Sequence, residues 1–183
     1  MRVRVQSNDE DYAAYNIANQ FLTEHGKKSV GRSIAFLSAM VGISIFVVAL
    51  YVLNMILSNR WVTLDIIPIL AVLIYFSYVL IFFKSNVKKR IRRRVVKLRG
   101  EGKLPYENEA TLDFLDDMIM EYTPSSTTRR EWKDIQSIVE DEEHFYLILG
   151  PMHGIIIPKR CIGAEAAGLI PFIQQKTGLG ITK

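Results

Sequence analysis

The sequence predicts a membrane protein of mixed class: an α-helical hairpin of two transmembrane helices joined to an α+β cytoplasmic domain. In that domain the strands are expected to form an antiparallel β-barrel or sandwich with a C-terminal helix. Three observations predict this. No charged residue occurs between Arg32 and Arg60, and a second uncharged run covers 66–83. From Pro105 onward the chain breaks into short runs of strand-forming residues punctuated by turn residues. A chain of 183 residues has room for one modest soluble domain beside such membrane segments. Four divisions follow: 1–32, a strand and an amphipathic helix; 33–83, the hairpin; 84–103, a basic juxtamembrane helix; and 104–183, the β-rich domain.

The first span, 34–57, is long enough at about 1.5 Å per residue to cross a hydrocarbon core of about 30 Å. A buried helix of a soluble protein would carry a polar face, and Val41–Leu53 has none. A signal peptide is excluded because the apolar run begins late, is too long and lacks a small-residue cleavage site after it. The second span, 63–83, takes Thr63 or Asp65 as N-cap and places Pro68 in its first turn, where a missing N–H costs least. The connection from Ser58 to Val62 is short, which makes the helices antiparallel neighbours, and Trp61 suits the interface. Ala35, Ser38, Ala39 and Gly42 put small side chains on one face, where the second helix is expected to approach. No ionisable residue lies at mid-membrane, which argues against a transport path within one chain.

Orientation follows from charge. His25, Lys27, Lys28 and Arg32 precede the first span, nine cations follow the second, and Arg60 alone lies between them. The positive-inside rule places both termini in the cytoplasm of a multi-pass plasma (inner) membrane protein. The net charge of +4 hides a strong asymmetry. Residues 84–103 hold ten Lys or Arg against Glu101, whereas 104–183 hold seven against thirteen Asp or Glu. In the basic segment Val87, Ile91, Val95 and Leu98 make an apolar stripe on a helix that continues the second span. Lys88, Lys89, Arg90, Arg92, Arg93, Arg94, Lys97 and Arg99 surround it. These cations fix topology, contact anionic lipid, or dock the acidic C-terminal domain. Nucleic acid is not an expected partner, because aromatics are not interleaved with the charges.

Met1–Gln6 alternates apolar and basic residues with the period of a half-buried strand. Ser7 or Asn8 then caps a helix through about His25. Asp9, Glu10 and Asp11 stand in its first turn, and Tyr12, Tyr15, Ala18 (or Asn19) and Leu22 lie on one face. After Pro105, strands are expected at Ala110–Phe114, Met118–Thr123, Thr127–Trp132, Ile135–Glu140, His144–Leu149 and Ile155–Ile157. The acidic turn 141–143 and a hairpin loop from Gly150 to Gly154 separate the last three. Gly163 is expected to cap a final helix, 164–177, with Leu169, Ile170, Phe172 and Ile173 inward and Pro171 marking a kink.

This order of parts resembles the YcxB-like family of bacterial membrane proteins. The residues that carry the resemblance are Glu10-Asp11-Tyr12-Ala13-Ala14-Tyr15-Asn16, Trp132 with Ile135, Ile138-Val139-Glu140, Phe145-Tyr146-Leu147-Ile148-Leu149 and Ile156-Ile157-Pro158-Lys159-Arg160. Cys161-Ile162-Gly163 departs from the aromatic and serine-type residues expected after the Pro-Lys-Arg step. The resemblance implies a C-terminal domain similar to bacterial pleckstrin-homology folds. It also implies that Met1–Gln6 joins the C-terminal sheet, with the hairpin inserted into the domain. It implies no established activity.

Candidate chemistry is sparse. His25, His144 and His153 lack metal-ligand spacing, and the acidic pairs at 116–117 and 140–143 lack the rhythm of a calcium loop. Cys161 is one lone thiol, so no internal disulfide can form. No catalytic residue, metal or cofactor is expected, and Trp132 is expected to anchor the core. By analogy with lipid-reading relatives of the fold class, Lys159 and Arg160 with Arg129 and Arg130 form a candidate phosphate or partner contact. The expected function is a non-enzymatic, membrane-anchored protein presenting its cytoplasmic domain to a protein partner or to its own copies. Anionic-lipid recognition is one alternative; toxin immunity, for which no residue speaks, is another.

Overall fold

The computed structural model describes residues 1–58, 66–102, 108–150, 153–163 and 166–182. In chain order its elements are β1 (Arg2–Gln6), α1 (Asp9–Phe21), α2 (Glu24–Leu57), α3 (Ile66–Ile81) and α4 (Phe83–Gly100). Then come β2 (Glu109–Phe114), β3 (Met118–Tyr122), β4 (Thr127–Glu131), a 3-10 turn at Trp132–Asp134, β5 (Ser137–Glu140), β6 (His144–Ile148) and β7 (Gly154–Pro158). The chain closes with α5 (Lys159–Ile162), α6 (Ala166–Thr177) and β8 (Ile181–Thr182). Two compact units emerge: residues 1–27 together with 90–183, and residues 28–89.

The first unit is built from both ends of the chain. β1 pairs antiparallel with β2, Arg2 opposite Asp113 and Gln6 opposite Glu109, so the sequence-expected strand does join the C-terminal domain. One sheet runs β1-β2-β3-β4; the other runs β7-β6-β5-β8, with β8 parallel to β5. The sheets do not close into a barrel. The ladder is interrupted after β4 by the Trp132–Asp134 turn, and β1 meets α5 and β7 without pairing to β7. Between the sheets lies one apolar core. Val3, Val5, Leu112, Phe114 and Ile119 of the first sheet meet Ile138, Phe145, Leu147, Ile155 and Ile157 of the second, and Leu169, Ile170 and Ile173 of α6 seal it. Trp132 anchors it as expected. Its Nε1–H donates to the Leu115 carbonyl at 3.2 Å, and its ring lies 6.3 Å from Phe114 and 5.8 Å from Phe172.

Strand β6 is buried on both faces. Period-two alternation sends Phe145 and Leu147 into this core and Tyr146 and Ile148 outward. There α1 covers them with Tyr15 and Ala18, while Tyr12 and Leu22 pack at the margin. The face foreseen for this helix therefore lies against the β domain. Its N-cap is Asn8, in a capping box with Asp11, and it ends earlier than expected, at Phe21. Thr23 then opens α2: its hydroxyl donates to the Asn19 carbonyl at 2.6 Å and accepts from the Gly26 N–H at 3.1 Å. A Cβ on Gly26 would stand 2.2 Å from the Asn19 carbonyl oxygen, so the α1–α2 junction requires glycine there.

Three further details differ from expectation. Lys159–Ile162 forms a short helix of its own, which Gly163 (φ 43°) terminates; α6 is described over Ala166–Thr177, and the expected start at 164 lies outside the described residues. β8 carries too few residues to show a pattern. The expected strand at Ile135 starts two residues later.

In the second unit, α2 has 34 residues and only 6% of its apolar window is buried. Phe36, Phe46, Ile56 and Leu57 are among its exposed side chains, so it is not the core helix of a soluble protein. Two of its hydroxyls bond back into the helix, Ser33 donating to the Ser29 carbonyl at 3.2 Å and Ser44 to the Met40 carbonyl at 2.8 Å. α2 is the one described helix that is by itself long and apolar enough to cross a membrane. The described part of the second span, α3, has 16 residues, or about 24 Å. It meets α4 at Phe82 with a bend of 69°, so the basic segment is not the straight continuation the sequence suggests. Hydrogen bonds from Phe82 N–H to Tyr78 and from Asn86 N–H to Phe82 carry the backbone ladder through the bend. Ala35, Ser38, Ala39 and Gly42 are all exposed, and nothing lies within 4 Å of a Cβ placed on Gly42. α3 thus does not seat on this small-residue face; in the absence of a hydrophobic drive between apolar helices, small residues permit close approach without compelling it. The expected caps Thr63 and Asp65, the loop residues Arg60 and Trp61, and part of the 150–154 loop lie outside the described residues.

The α1–α2 junction gives a direct test. Gly26→Ala should lower thermal stability by about 1–3 kcal/mol or more, the usual cost of forcing a group into filled space. Gly31→Ala, whose added Cβ meets nothing within 4 Å, should be neutral or slightly stabilising. Thermal melts of the two purified variants compare them.

Candidate functional site

Three consecutive carboxylates open α1, and each reaches a different partner. A helix N-terminus favours acids through its dipole and free N–H groups. Here the same acids also hold the first unit together. Asp9 pairs with Arg99 of α4, and Glu10 lies 3.6 Å from Arg92 of α4. Asp11 points inward and is only 2% exposed. Its Oδ2 accepts from the Asn8 N–H at 2.7 Å and from Arg160 Nη2 at 2.5 Å; its Oδ1 accepts from Arg160 Nη1 at 2.8 Å. That is a two-pronged guanidinium–carboxylate pair joining residues 149 apart.

The same Asp11 Oδ1 lies 2.7 Å from His144 Nε2, and His144 Nδ1 lies 3.1 Å from Asp141 Oδ1. Both ring nitrogens therefore face carboxylate oxygens. The ring is 3% exposed and stacks on Tyr146 at 5.4 Å. Asp141 also accepts from the backbone N–H groups of Glu143 (2.9 Å) and His144 (2.7 Å), and from the Tyr146 hydroxyl at 2.6 Å. Burial by itself would push the Asp11 carboxyl up; Arg160, His144 and the Asn8 N–H outweigh it and hold the group below the usual carboxylate range. At Asp141 burial is likewise outweighed, by Tyr146 and the two backbone donors with His144. Tyr146 is pushed far up by burial and by Asp141. Beside it Tyr15, buried with a hydroxyl that finds no partner among the described residues, is pushed up to about 12, mainly by burial.

The charged groups of this cluster are bonded to one another across α1, β6 and α5, which makes it a clasp. Around its outer side Gln6, Ser7, Asn8, Asp9, Arg99, Asn108 and Arg160 line a cleft of about 330 Å³. Both of its guanidinium groups already carry a carboxylate. Among the described residues no group of three or more His, Cys, Asp or Glu is arranged to hold a metal ion.

The residues proposed as a phosphate contact do not converge. Lys159 donates to Glu140 at 2.8 Å and sits 4.8 Å over the Phe145 ring, and Arg160 belongs to the clasp. Arg129 and Arg130 lie on β4, at the opposite edge of its sheet from β1 and α5, and Arg130 pairs with Glu121 at 3.1 Å. Strand order is the cause: β4 stands three strands, or about 14 Å, from β1. Of the acidic turns, Asp116 is taken by Lys176 and Glu140 by Lys159. Cys161 lies 3.5 Å from the Gln6 N–H.

The basic residues of α4 are all exposed: Lys84, Lys88, Lys89, Arg90, Arg92, Arg93, Arg94, Lys97 and Arg99. The apolar stripe faces inward, with Val95 buried and Val87, Ile91 and Leu98 half-buried. Among the described residues, the docking seen for this helix is to the acids that open α1. Sequence reasoning attributed those acids to the helix dipole and missed the clasp. The available signal was the order Asn8-x-x-Asp11, which turns one carboxylate back into the fold.

Residues 114–170 match the family model described as YcxB-like protein, which bears out the resemblance from the end of β2 into α6. That is 57 of the 183 residues. Neither the curated proteins nor the solved structures yield a match.

Depressed carboxyl pKa values give stability that is complete above the ordinary carboxylate range and is lost as pH falls through the lower, folded values. Acidification should therefore release α1 from β6. Asp11→Ala should do so at neutral pH, lowering stability by about 3–5 kcal/mol, the usual cost of breaking a buried pair. Thermal melts between neutral and acid pH test both: the acid-induced loss should be smaller in the variant than in the parent.

Proposed function

We propose that this chain is a membrane-anchored, non-enzymatic protein whose α2 and α3 cross the bilayer as a hairpin. It presents a split, pleckstrin-homology-like domain on the cytoplasmic side, where the domain works by contact with a partner or with its own copies. The observation that carries this reading is the pairing of β1 with β2. Residues before and after the 28–89 insert fold into one unit, so both must lie on the same side of a membrane. One crossing by α2 then requires a second, and α3 is the apolar segment available for it. The excess of Lys and Arg in 24–32 and 84–99 assigns that side to the cytoplasm.

Four strands, then three, then a closing helix support the pleckstrin-homology-like assignment. A contact role is supported by the clasp, whose groups are occupied by one another. It is also supported by β4, an edge strand whose outer side has no strand partner among the described residues.

Cysteine labelling tests the topology. In a Cys161→Ser background, Ser58→Cys should react with an impermeant maleimide in intact cells, and Glu142→Cys only after the membrane is opened. Labelling of both positions from the same side would contradict the hairpin.

A further inference from the structure

We infer that the exposed cationic surface of α4, formed by Lys88, Lys89, Arg90, Arg93 and Arg94 around its apolar stripe, is a docking surface for an anionic bilayer. The inference rests on the membrane reading above and adds a ligand to it. Three observations carry it. First, the cations of α4 divide into two sets. Arg92 and Arg99, seven residues apart on one flank, are taken by Glu10 and Asp9, and Lys97 lies 3.8 Å from Glu101. The other six, Lys84 beside the bend and these five, have no ion pair or hydrogen bond among the described residues, and all are exposed.

Second, the arrangement is unfavourable for an isolated helix. Lys89 and Arg93, and Arg90 and Arg94, are like charges at i,i+4 on a helix already crowded with cations. An outside array of negative charge removes that repulsion. The domain's own acids are largely spent elsewhere: Glu109 on Arg4, Asp113 on Arg2, Asp116 on Lys176, Glu121 on Arg130 and Glu140 on Lys159.

Third, the placement suits a surface and not a discrete ligand. α4 follows the apolar α3 after a 69° bend at Phe82, which takes it off the line of the span. Its apolar stripe is turned inward, so the cationic side is the one presented. Five cations spread over 88–94 span about two turns and make no enclosed pocket, as an array of headgroups demands. Each cation near an anionic surface is worth about a fivefold change in binding.

The full chain, in nanodiscs of phosphatidylcholine alone or with phosphatidylglycerol added, provides the test. Val96 is 67% exposed and stands on the same outer side as Lys89 and Arg93. A fluorophore on Val96→Cys, in a Cys161→Ser background, should be quenched by brominated lipid in the anionic discs and much less in the neutral ones. The difference should shrink at high salt. It should disappear when Lys88, Lys89, Arg90, Arg93 and Arg94 are changed to Gln, and survive when the three arginines are changed to Lys. Equal quenching in both lipids, or quenching unaffected by the Gln changes, would overturn the surface. A second fluorophore on Ile74→Cys, in α3, separates the failures. If it is unquenched in both lipids, the membrane reading is what has failed.

Discussion

Most of the first unit depends on the acidic first turn of α1. This helix is the only described cover over the outer face of β6, and it leads within two residues into the long apolar α2. Its apolar face alone offers two buried side chains, Tyr15 and Ala18, to Val139, Tyr146 and Ile148. What fixes its position is the charge at its N-terminus. Asp11 is buried between Arg160 and His144, while Asp9 and Glu10 reach the basic helix. A buried carboxylate is tolerated only when fully bonded. Asp11 meets that condition with partners on β6, on α5 and at its own cap, so any displacement of α1 would strand a charge.

The consequences spread outward from this point. With α1 fixed, β1 lies against β2 and the two ends of the chain become one body. Residues 28–89 are then an insertion between the two parts of one unit, as strand pairing and not hydropathy shows. Gly26 belongs to the same argument, because the turn from α1 into α2 brings its Cα against the Asn19 and Gln20 carbonyls. A strand, a clasp and a glycine together hold α1 and the first turn of α2 in the first unit.

Much of the fold was legible in the sequence because it is written in local periods. Met1–Gln6, 110–114 and 144–149 alternate or cluster as strands do, and Tyr12, Tyr15, Ala18 and Leu22 keep a helical spacing. Trp132 announced itself as a core residue by its place at a strand end. The parts that were not legible depend on residues distant in sequence. Nothing near His144 signals Asp11, 133 positions away. Lys159-Arg160 and Arg129-Arg130 look alike as basic pairs, but strand order sends them to opposite edges of a sheet and gives Arg160 to the clasp. Open sheets and a closed barrel share one alternation pattern, so pairing alone distinguished them. The bend at Phe82 has no proline or glycine to mark it, and the pattern of apolar then basic residues would fit a straight helix equally well.

The central claim is that β1 and α1 belong to the same cooperative unit as β5 and β6, although 116 residues separate Phe21 from Ser137. Native-state hydrogen exchange of the full chain in nanodiscs tests it most directly. The account predicts that amides of β1 and α1 exchange at the same rates as those of β5 and β6, and that all four accelerate together in Asp11→Ala. Fast, independent exchange of α1 and β1, with β5 and β6 protected and unaffected by the substitution, would contradict it.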